Sequence, residues 1–486
     1  LPDAVVLWTR LVADPFDAAA MGRRDVAVRW EVAADERFAT VVRRGTALAR
    51  PELAHSVHVD VRGLRADRVY WYRFRTGRFV SPVGRTRTAP ETYSRPNRLR
   101  VGVVNCQDFQ NGYWPAYVGL AAEDLDVVVH LGDYIYEYDP QSAYPDRRHT
   151  APETPGLDQL VTLADYRARH AQYKTDPALQ RAHAAFPWIV TWDDHETENN
   201  YAGLVDEIDD TAARHQDPAA FARQRAAAYQ AYYEHMPLRR AAVPGSPDYR
   251  LYRRFEFGDL VRLNVLDTRQ YRTDQPGGHP SDFGPIADGL GNAAGTLTGP
   301  EQERWLAEGL RTTHARWNVL AQQVMVSQIR FPNFLDPAHP FPPIANLDQW
   351  DGYDPARTRL LRLLRDARTP NPVVLAGDIH STWCSDLRID RDDLAAAPVA
   401  VEFTATSVSS DFPAAFDGPL KAANPTLNPH VRYFDGSRRG YLRMTVDRER
   451  WLTDVRTVDS IATRESPVRT SASWAATAGV PGLTPA

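Results

Sequence analysis

Four short apolar runs of this chain each end on side chains able to hold a cation. They are 99–108 (LRVGVVNCQD), 125–138 (LDVVVHLGDYIYEY), 188–196 (WIVTWDDHE) and 373–380 (VVLAGDIH). Runs of Val, Ile and Leu without polar alternation suit strands covered on both faces, as in parallel sheets. Parallel sheets place ligand chemistry in loops beyond the strands' carboxyl ends. Four such endings predict one convergent site at the edge of a layered α/β sheet.

Helical stretches at 160–173, 218–235 and 300–314 alternate with strand-like runs from residue 99 onward, consistent with that architecture. The first 90 residues read differently. Val57, Val59 and Val61, then Tyr70, Tyr72 and Phe74, alternate with period two, which predicts half-buried strands of an antiparallel β-sandwich domain, 1–90. The phrase GLRADRVYWYRF resembles the leucine-to-tyrosine turn of immunoglobulin-like and fibronectin type III domains. Ionisable residues are scattered through this module, so it is expected to be structural. A linker at 91–98 lies within a proline-bearing stretch without periodicity (APETYSRPN from Ala89). The main domain is expected over 99–464, and the small, polar residues 465–486 read as an extended C-terminal tail. Two long loops, 276–300 and 331–343, are candidates for walls of the site.

With 486 residues, the chain is long enough for several cores, and its patterning supports two domains. A net charge of -5 gives no bulk drive toward nucleic acid or anionic membranes, so no nucleic acid partner is expected. Only Lys174 and Lys421 are lysines among 57 basic residues. Two cysteines cannot staple a disulfide scaffold. No transmembrane segment is expected, because no run approaches the roughly 20 apolar residues a span needs. The first residue, Leu1, fits a processed or trimmed product, and the chain is expected to be a monomer.

Asp133 and Tyr136, in LGDYIYEY, could face one centre through a carboxylate and a phenolate. Asp-x-x-Tyr after a strand resembles the spacing in purple acid phosphatases. Displacing a phenol proton from a pKa of ~10 favours a trivalent cation, and ferric iron is the natural candidate. Asp193, Asp194, His195 and Glu196 crowd the end of another run, and charges near a buried strand need a cation or an arginine network. Asp378 and His380, two apart in an extended segment, share a face. Cys106 sits where its strand turns polar and would be a soft thiolate ligand, whereas Cys384 reads as a small buried hydrophobe.

The ordered set PDAVVLWTRL, NCQD, HLGDYIYEY, WDDHETENN, AYYEHMPLR, LDTRQYR and GDIHSTW resembles the PhoD-type alkaline phosphatases, within the metallophosphoesterases. The resemblance covers nearly the whole chain. It implies an immunoglobulin-like domain followed by a four-layer αββα metallophosphoesterase domain, export by the twin-arginine route to an extracytoplasmic or secreted location, and Fe3+ with Ca2+ as cofactors. Cys106, Asp133, Tyr136 and His380 match the iron ligands, with Asp133 bridging. Asp194 stands where many metallophosphoesterases carry the asparagine of GNHE, and Asp378 replaces the first histidine of HxH. An oxygen-rich second site follows, which suits Ca2+.

The expected reaction is hydrolysis of a phosphate mono- or diester by a metal-bound oxygen nucleophile, with no serine required and His195 or water protonating the leaving group. Substrates are small phosphate esters, a phospholipid or nucleotide-type diester among them. Arg269 could clamp phosphate, with a salt bridge to Asp267 or another acid as the competing reading, and Asn199 could contact substrate. His235 is expected to pack or cap its helix. Two alternatives stand: a phospholipase D-like phosphodiesterase with the same site, and a noncatalytic surface binding protein with structural metals. Kinetics on p-nitrophenyl phosphate, its bis ester and phosphatidylcholine separate the first, and absence of any turnover in a metallated sample marks the second.

Overall fold

The computed structural model describes all residues except 18–19, 139–147, 149–158, 207–216, 278–281, 337 and 339–340. Parts of both expected site loops thus lie outside the described residues.

Strands Ala4–Arg10 and Ser56–Arg62 pair antiparallel and cover a five-stranded sheet built on Val26–Ala33 and Val69–Thr76. Leu7, Val28, Val32, Val57, Val61 and Phe74 fill the space between them. The backbone N–H of Arg65 donates to the hydroxyl of Tyr70 at 2.9 Å, closing the leucine-to-tyrosine turn expected from the sequence.

The remainder is four-layered, and the unalternated apolar runs explain why. In Val127–His130, Val127 and Val129 face one core while Val128 faces another. In Pro372–Ala376, Val373 and Leu375 join that shared core while Val374 points the other way. Side chains of a strand alternate between faces, so a strand apolar at every position requires cover on both sides. Two seven-stranded sheets supply the inner layers. The first runs Trp188–Val190, Val127–His130, Arg98–Val104, Gly440–Asp447, Arg450–Val458, Val468–Thr477, Leu483–Pro485. The second runs Arg253–Phe257, Val261–Val265, Trp317–Ala321, Pro372–Ala376, Ala400–Thr404, Thr382–Leu387, Val431–Asp435.

Helices Pro115–Ala122, Leu163–Lys174, Pro177–Ala185 and Pro218–His235 cover the first sheet through Tyr117, Leu120, Leu179 and Tyr229. Asp217 caps the last of these by accepting from the Ala219 N–H, and Pro218 occupies its first turn, where a missing N–H costs nothing. Gly299–Arg311 and Asp354–Asp366 cover the second sheet through Leu306, Leu310 and Leu361.

The tail expectation for 465–486 is corrected: this segment supplies the last two strands of the first sheet. Its small residues lack the bulky apolar signature of a strand. The long hairpin to Arg450–Val458 satisfies its backbone instead, and Ala475 and Ala476 are buried there. The two candidate loops also meet: the Phe283 ring lies edge-on to those of Phe331 and Phe334 at 5.1 and 4.7 Å, and Phe283–Pro285 pairs antiparallel with Ile344–Asn346, just after the second loop.

Candidate metal centre

Three of the apolar strands lie side by side in the first sheet and one in the second, so their carboxyl ends open together across the seam between sheets. Cys106 follows Arg98–Val104 by two residues, Asp133 follows Val127–His130, Asp193 and Asp194 follow Trp188–Val190, and Asp378 and His380 follow Pro372–Ala376. Ligand atoms of Cys106, Asp133 and His380 lie within 4.8 Å of one another, as do those of Asp133, Asp194 and His195, and of Asp193, Asp194 and Asp378. Asp133 belongs to the first two groups and Asp194 to the last two.

The backbone holding these side chains is strained. Cys106, Asp133, Asp378 and His380 adopt φ of 52°, 57°, 64° and 56°, which side chains with a Cβ rarely tolerate. Such strain persists only where surrounding structure over-determines it, and it concentrates at functional sites. The supports are visible. The Cys106 N–H donates to the Gly132 carbonyl at 3.1 Å, and the Gln107 N–H to the Asp133 carbonyl at 3.0 Å. Glu196 accepts from the N–H groups of Asp133, Tyr134 and Asp193 at 3.1, 2.7 and 2.8 Å, tying two strand ends together.

Tyr136 reaches the same centre. Its hydroxyl donates to Asp133 at 3.1 Å, accepts from Ser410 at 2.6 Å and lies 3.2 Å from His380 Nε2. His380 Nδ1–H donates to the Asp411 carbonyl at 3.1 Å, which leaves Nε2 as the coordinating nitrogen. His195 stacks on Tyr136 with centroids 4.2 Å apart, and its Nδ1 meets Glu137 at 2.7 Å. The other Glu137 oxygen accepts from the Asn199 N–H at 2.8 Å, while the Asn199 side chain accepts from the Tyr138 hydroxyl at 3.0 Å. Asn199 thus borders the cluster beside His195.

Arg269 is fully buried among carboxylates. Its Nε donates to Asp193, Nη1 to Asp348 at 2.9 Å and Nη2 to Asp378 at 2.9 Å, with Asp194 at 3.4 Å. Of its two sequence readings, the salt bridge to acids describes this setting. A free fork for phosphate does not, because each guanidinium nitrogen already faces a carboxylate. His235 is buried, its Nδ1–H donating to the Ala231 carbonyl at 2.7 Å, and Cys384 lies buried in its strand.

Burial lifts Asp133 well above the ordinary carboxylate range and Asp378 to about 7, even though Arg269 pulls the latter down. Asp194 also feels burial, but Arg269 and His195 outweigh it and hold it low. Burial and neighbouring Asp133 and Asp378 push the Cys106 thiol well up, while burial and the positive field of His195 bring His380 to about 4. His195 is itself held well up: Glu137 and Asp194 overcome its burial. Asp133 Oδ1 and Asp194 Oδ1 are buried without a hydrogen bond. Crowded carboxylates with orphaned oxygens fit bound cations, which supply the charge that Arg269 and Arg272 alone do not.

Asp193, Glu196 and Glu137 lay inside motifs singled out from the sequence, yet their separate roles had no signal there. Asp348 had none at all. It reaches Arg269 and Arg272 because the Phe283–Pro285 to Ile344–Asn346 pairing brings the segment after residue 346 over the site.

Residues 101–455 match the family model "PhoD-like phosphatase", and residues 1–90 match "PhoD-like phosphatase, N-terminal domain". The chain is 44% identical over 479 residues to "Alkaline phosphatase D" of Bacillus subtilis (strain 168), covering 98% of this chain and 78% of that protein. A solved structure described as "Structure of PhoD" superposes with a TM-score of 0.90 at 43% identity, over 100% of this chain and 90% of the other. The convergent centre and these matches agree, and the chain belongs to the PhoD-like phosphatase family.

Proposed function

We propose that Cys106, Asp133, Tyr136 and His380 hold Fe3+, that Asp194 and Asp378 hold Ca2+ with Asp133 shared between the two sites, and that the centre hydrolyses small phosphate mono- and diesters. Metal-dependent phosphoester hydrolysis itself follows from membership of the family. The observation that carries the ligand assignment is the convergence of a thiol, a phenol, an imidazole and an orphaned carboxylate oxygen from separate strand ends. Sulfur, nitrogen and phenolate oxygen suit iron, whereas carboxylates alone suit calcium.

When bound, the cations supply electrostatic stabilisation of phosphate oxygens and the means to ionise water near neutral pH. The chain's own groups do the rest. Glu137 fixes the His195 ring and keeps it protonated, so that His195 holds a proton for the departing alkoxide. Arg269 keeps Asp193, Asp378 and Asp348 aimed inward, holds Asp348 below the usual carboxylate range and offsets part of the burial that pushes Asp193 and Asp378 up. Asn199 would touch the ester's organic portion, a reading supported by its backbone bond to Glu137, the same carboxylate that holds His195. Export from the cytoplasm belongs to the same reading and rests on the family resemblance.

The test is elemental analysis with an absorption spectrum, because thiolate and phenolate on ferric iron give visible charge-transfer bands. Cys106→Ala is expected to lose iron, colour and about 100-fold or more of turnover, a loss within the range expected for electrostatic stabilisation. A colourless, iron-free and fully active wild-type enzyme overturns the cofactor assignment. Rates on p-nitrophenyl phosphate, its bis ester and phosphatidylcholine then define the substrate class.

A further inference from the structure

We propose that the cavity between the amino-terminal sandwich and the catalytic domain is a second ligand site, suited to an anion with an apolar body whose charged head meets Lys174. The cavity encloses about 1200 Å³. Ligand pockets commonly run ~300–1,000 Å³, so it is roomy enough for a lipid-sized molecule. The sandwich contributes Trp8 and Arg10, and the catalytic domain contributes Lys174, Leu179, Phe186 and Leu238. Its lining thus combines apolar side chains with basic ones.

The charge of that lining is one-sided. Ten Lys or Arg residues line the cavity against three carboxylates, Asp67, Asp126 and Glu256, in a chain whose net charge is -5. Arg87 takes both Asp67 and Asp126, and Glu256 faces Arg262 outside the lining. Among the described residues, Lys174, Arg240 and Arg250 therefore have no carboxylate within ion-pair reach.

Lys174 is one of only two lysines, and its surroundings are unusual for an ammonium. Its Nζ donates to the Tyr134 hydroxyl at 2.8 Å and lies over the rings of Trp8 and Tyr134, 4.9 and 4.7 Å from their centroids. Tyr134 is engaged in turn with His183 Nε2 at 2.7 Å. Two ring faces and one phenol leave ammonium donors unfilled. Burial and nearby Arg10 lower Lys174 to about 7, with no carboxylate among the described residues close enough to offset them. A carboxylate or phosphate head would supply that charge, and the apolar wall would take the chain behind it. A neutral ligand would leave the ammonium as it is, and a cation would be repelled.

The experiment titrates the intact, metallated protein by calorimetry with laurate and with dodecylphosphonate, in excess inorganic phosphate so that the catalytic centre is occupied. One equivalent of either is expected to bind. Laurate alone identifies a fatty-acid-like ligand, dodecylphosphonate alone a lipid-phosphate-like one, and both support the site. Lys174→Met should weaken binding about tenfold or more, as loss of a hydrogen bond to a charged group predicts. Lys421→Met should leave binding unchanged. Arg250→Ala, an exposed change in the same lining, should weaken binding about threefold, on the scale of a partly screened charge, and serves if Lys174→Met does not fold. Failure of both anions to bind, equal binding by dodecanol or dodecyltrimethylammonium, or indifference to Lys174→Met and Arg250→Ala overturns the proposal. Turnover of p-nitrophenyl phosphate, followed in parallel, reports separately on the catalytic reading.

Discussion

Tyr134 stands between two clusters of buried ionisable groups. Its backbone N–H donates to Glu196 at the edge of the carboxylate cluster, while its hydroxyl meets Lys174 and His183. On the first side, Asp193, Asp194, Asp348 and Asp378 crowd around Arg269 with Asp133 beside Asp194, four site residues sit at positive φ, and two carboxylate oxygens lack hydrogen bonds. On the second, His130, His170, His183 and His235 are all driven well below their ordinary value by burial, with Lys174 adding to the effect. His170 stacks on His235 at 4.8 Å with neither of its nitrogens hydrogen-bonded, and none of these histidines sits at positive φ. An imidazole can meet burial by staying neutral. Several adjacent aspartates that must bind cations cannot, and they require strained, arginine-braced loops. Burial alone therefore does not mark function; burial combined with strain and unsatisfied oxygens does.

Cation removal breaks that contrast most directly. Exhaustive chelation is expected to abolish phosphoester turnover and lower the melting temperature, because the aspartates are left to two arginines. Iron plus calcium should restore both. A chelated enzyme with unchanged melting and full activity would contradict the claim that this cluster needs cations. Arg269→Met attacks the same side from within. Removing one partner of a buried ion-pair network costs ~3–5 kcal/mol, so urea unfolding should show a loss of that order even in the metallated protein. Arg269→Lys should recover only part, since one ammonium cannot face four carboxylates with a planar fork.

The contrast also shows what the sequence could convey. Strands apolar on both faces announce themselves, because their pattern lacks alternation, and their endings name Cys106, Asp133, Tyr136, Asp378 and His380 directly. The division of labour inside WDDHE was hidden, since adjacent carboxylates differ only in where they point. Glu196 turns to backbone N–H groups, Asp193 to Arg269, and Asp194 toward His195 and Asp133. Asp348 has no signal because an antiparallel pairing between strands distant in sequence delivers it. The strand Val468–Thr477 carries no strand signal in its side chains because backbone pairing, not side-chain size, holds it. The imidazole cluster had no signal either: its members are spread over separate helices and the strand Val127–His130, and only packing joins them.

A smaller effect sharpens the second side of the comparison. His58 on the sandwich stacks on Tyr233 at 4.3 Å and donates from Nε2 to the Met236 carbonyl at 2.8 Å. Burial lowers it to about 4, against an unfolded value near 6.5. Between those values the unfolded chain takes up a proton that the folded chain does not. Stability contributed by neutral His58 is therefore complete above about pH 6.5 and is lost as pH falls toward about 4. His58→Phe keeps the ring stack and removes that titration. Wild type should lose about 1–2 kcal/mol more than the variant between pH 7 and pH 5, read from urea midpoints. Equal losses would place His58 outside the acid response.

The smallest expected effect concerns the turn that closes the sandwich. Tyr70→Phe deletes the acceptor of the Arg65 N–H and leaves the ring in the core formed with Leu7 and Phe74. A neutral hydrogen bond contributes about 0.5–1.5 kcal/mol net, so the melting temperature should fall by a few degrees at most. Turnover on p-nitrophenyl phosphate should not change, because no side chain of the metal centre comes from residues 1–90. Laurate binding should not change either, since Tyr70 lies outside the lining of the interdomain cavity. A drop in turnover without a drop in stability would show that the sandwich reaches the catalytic loops through its contacts with the helix Pro218–His235, among them the Trp8 Nε1–H donation to the Glu234 carbonyl.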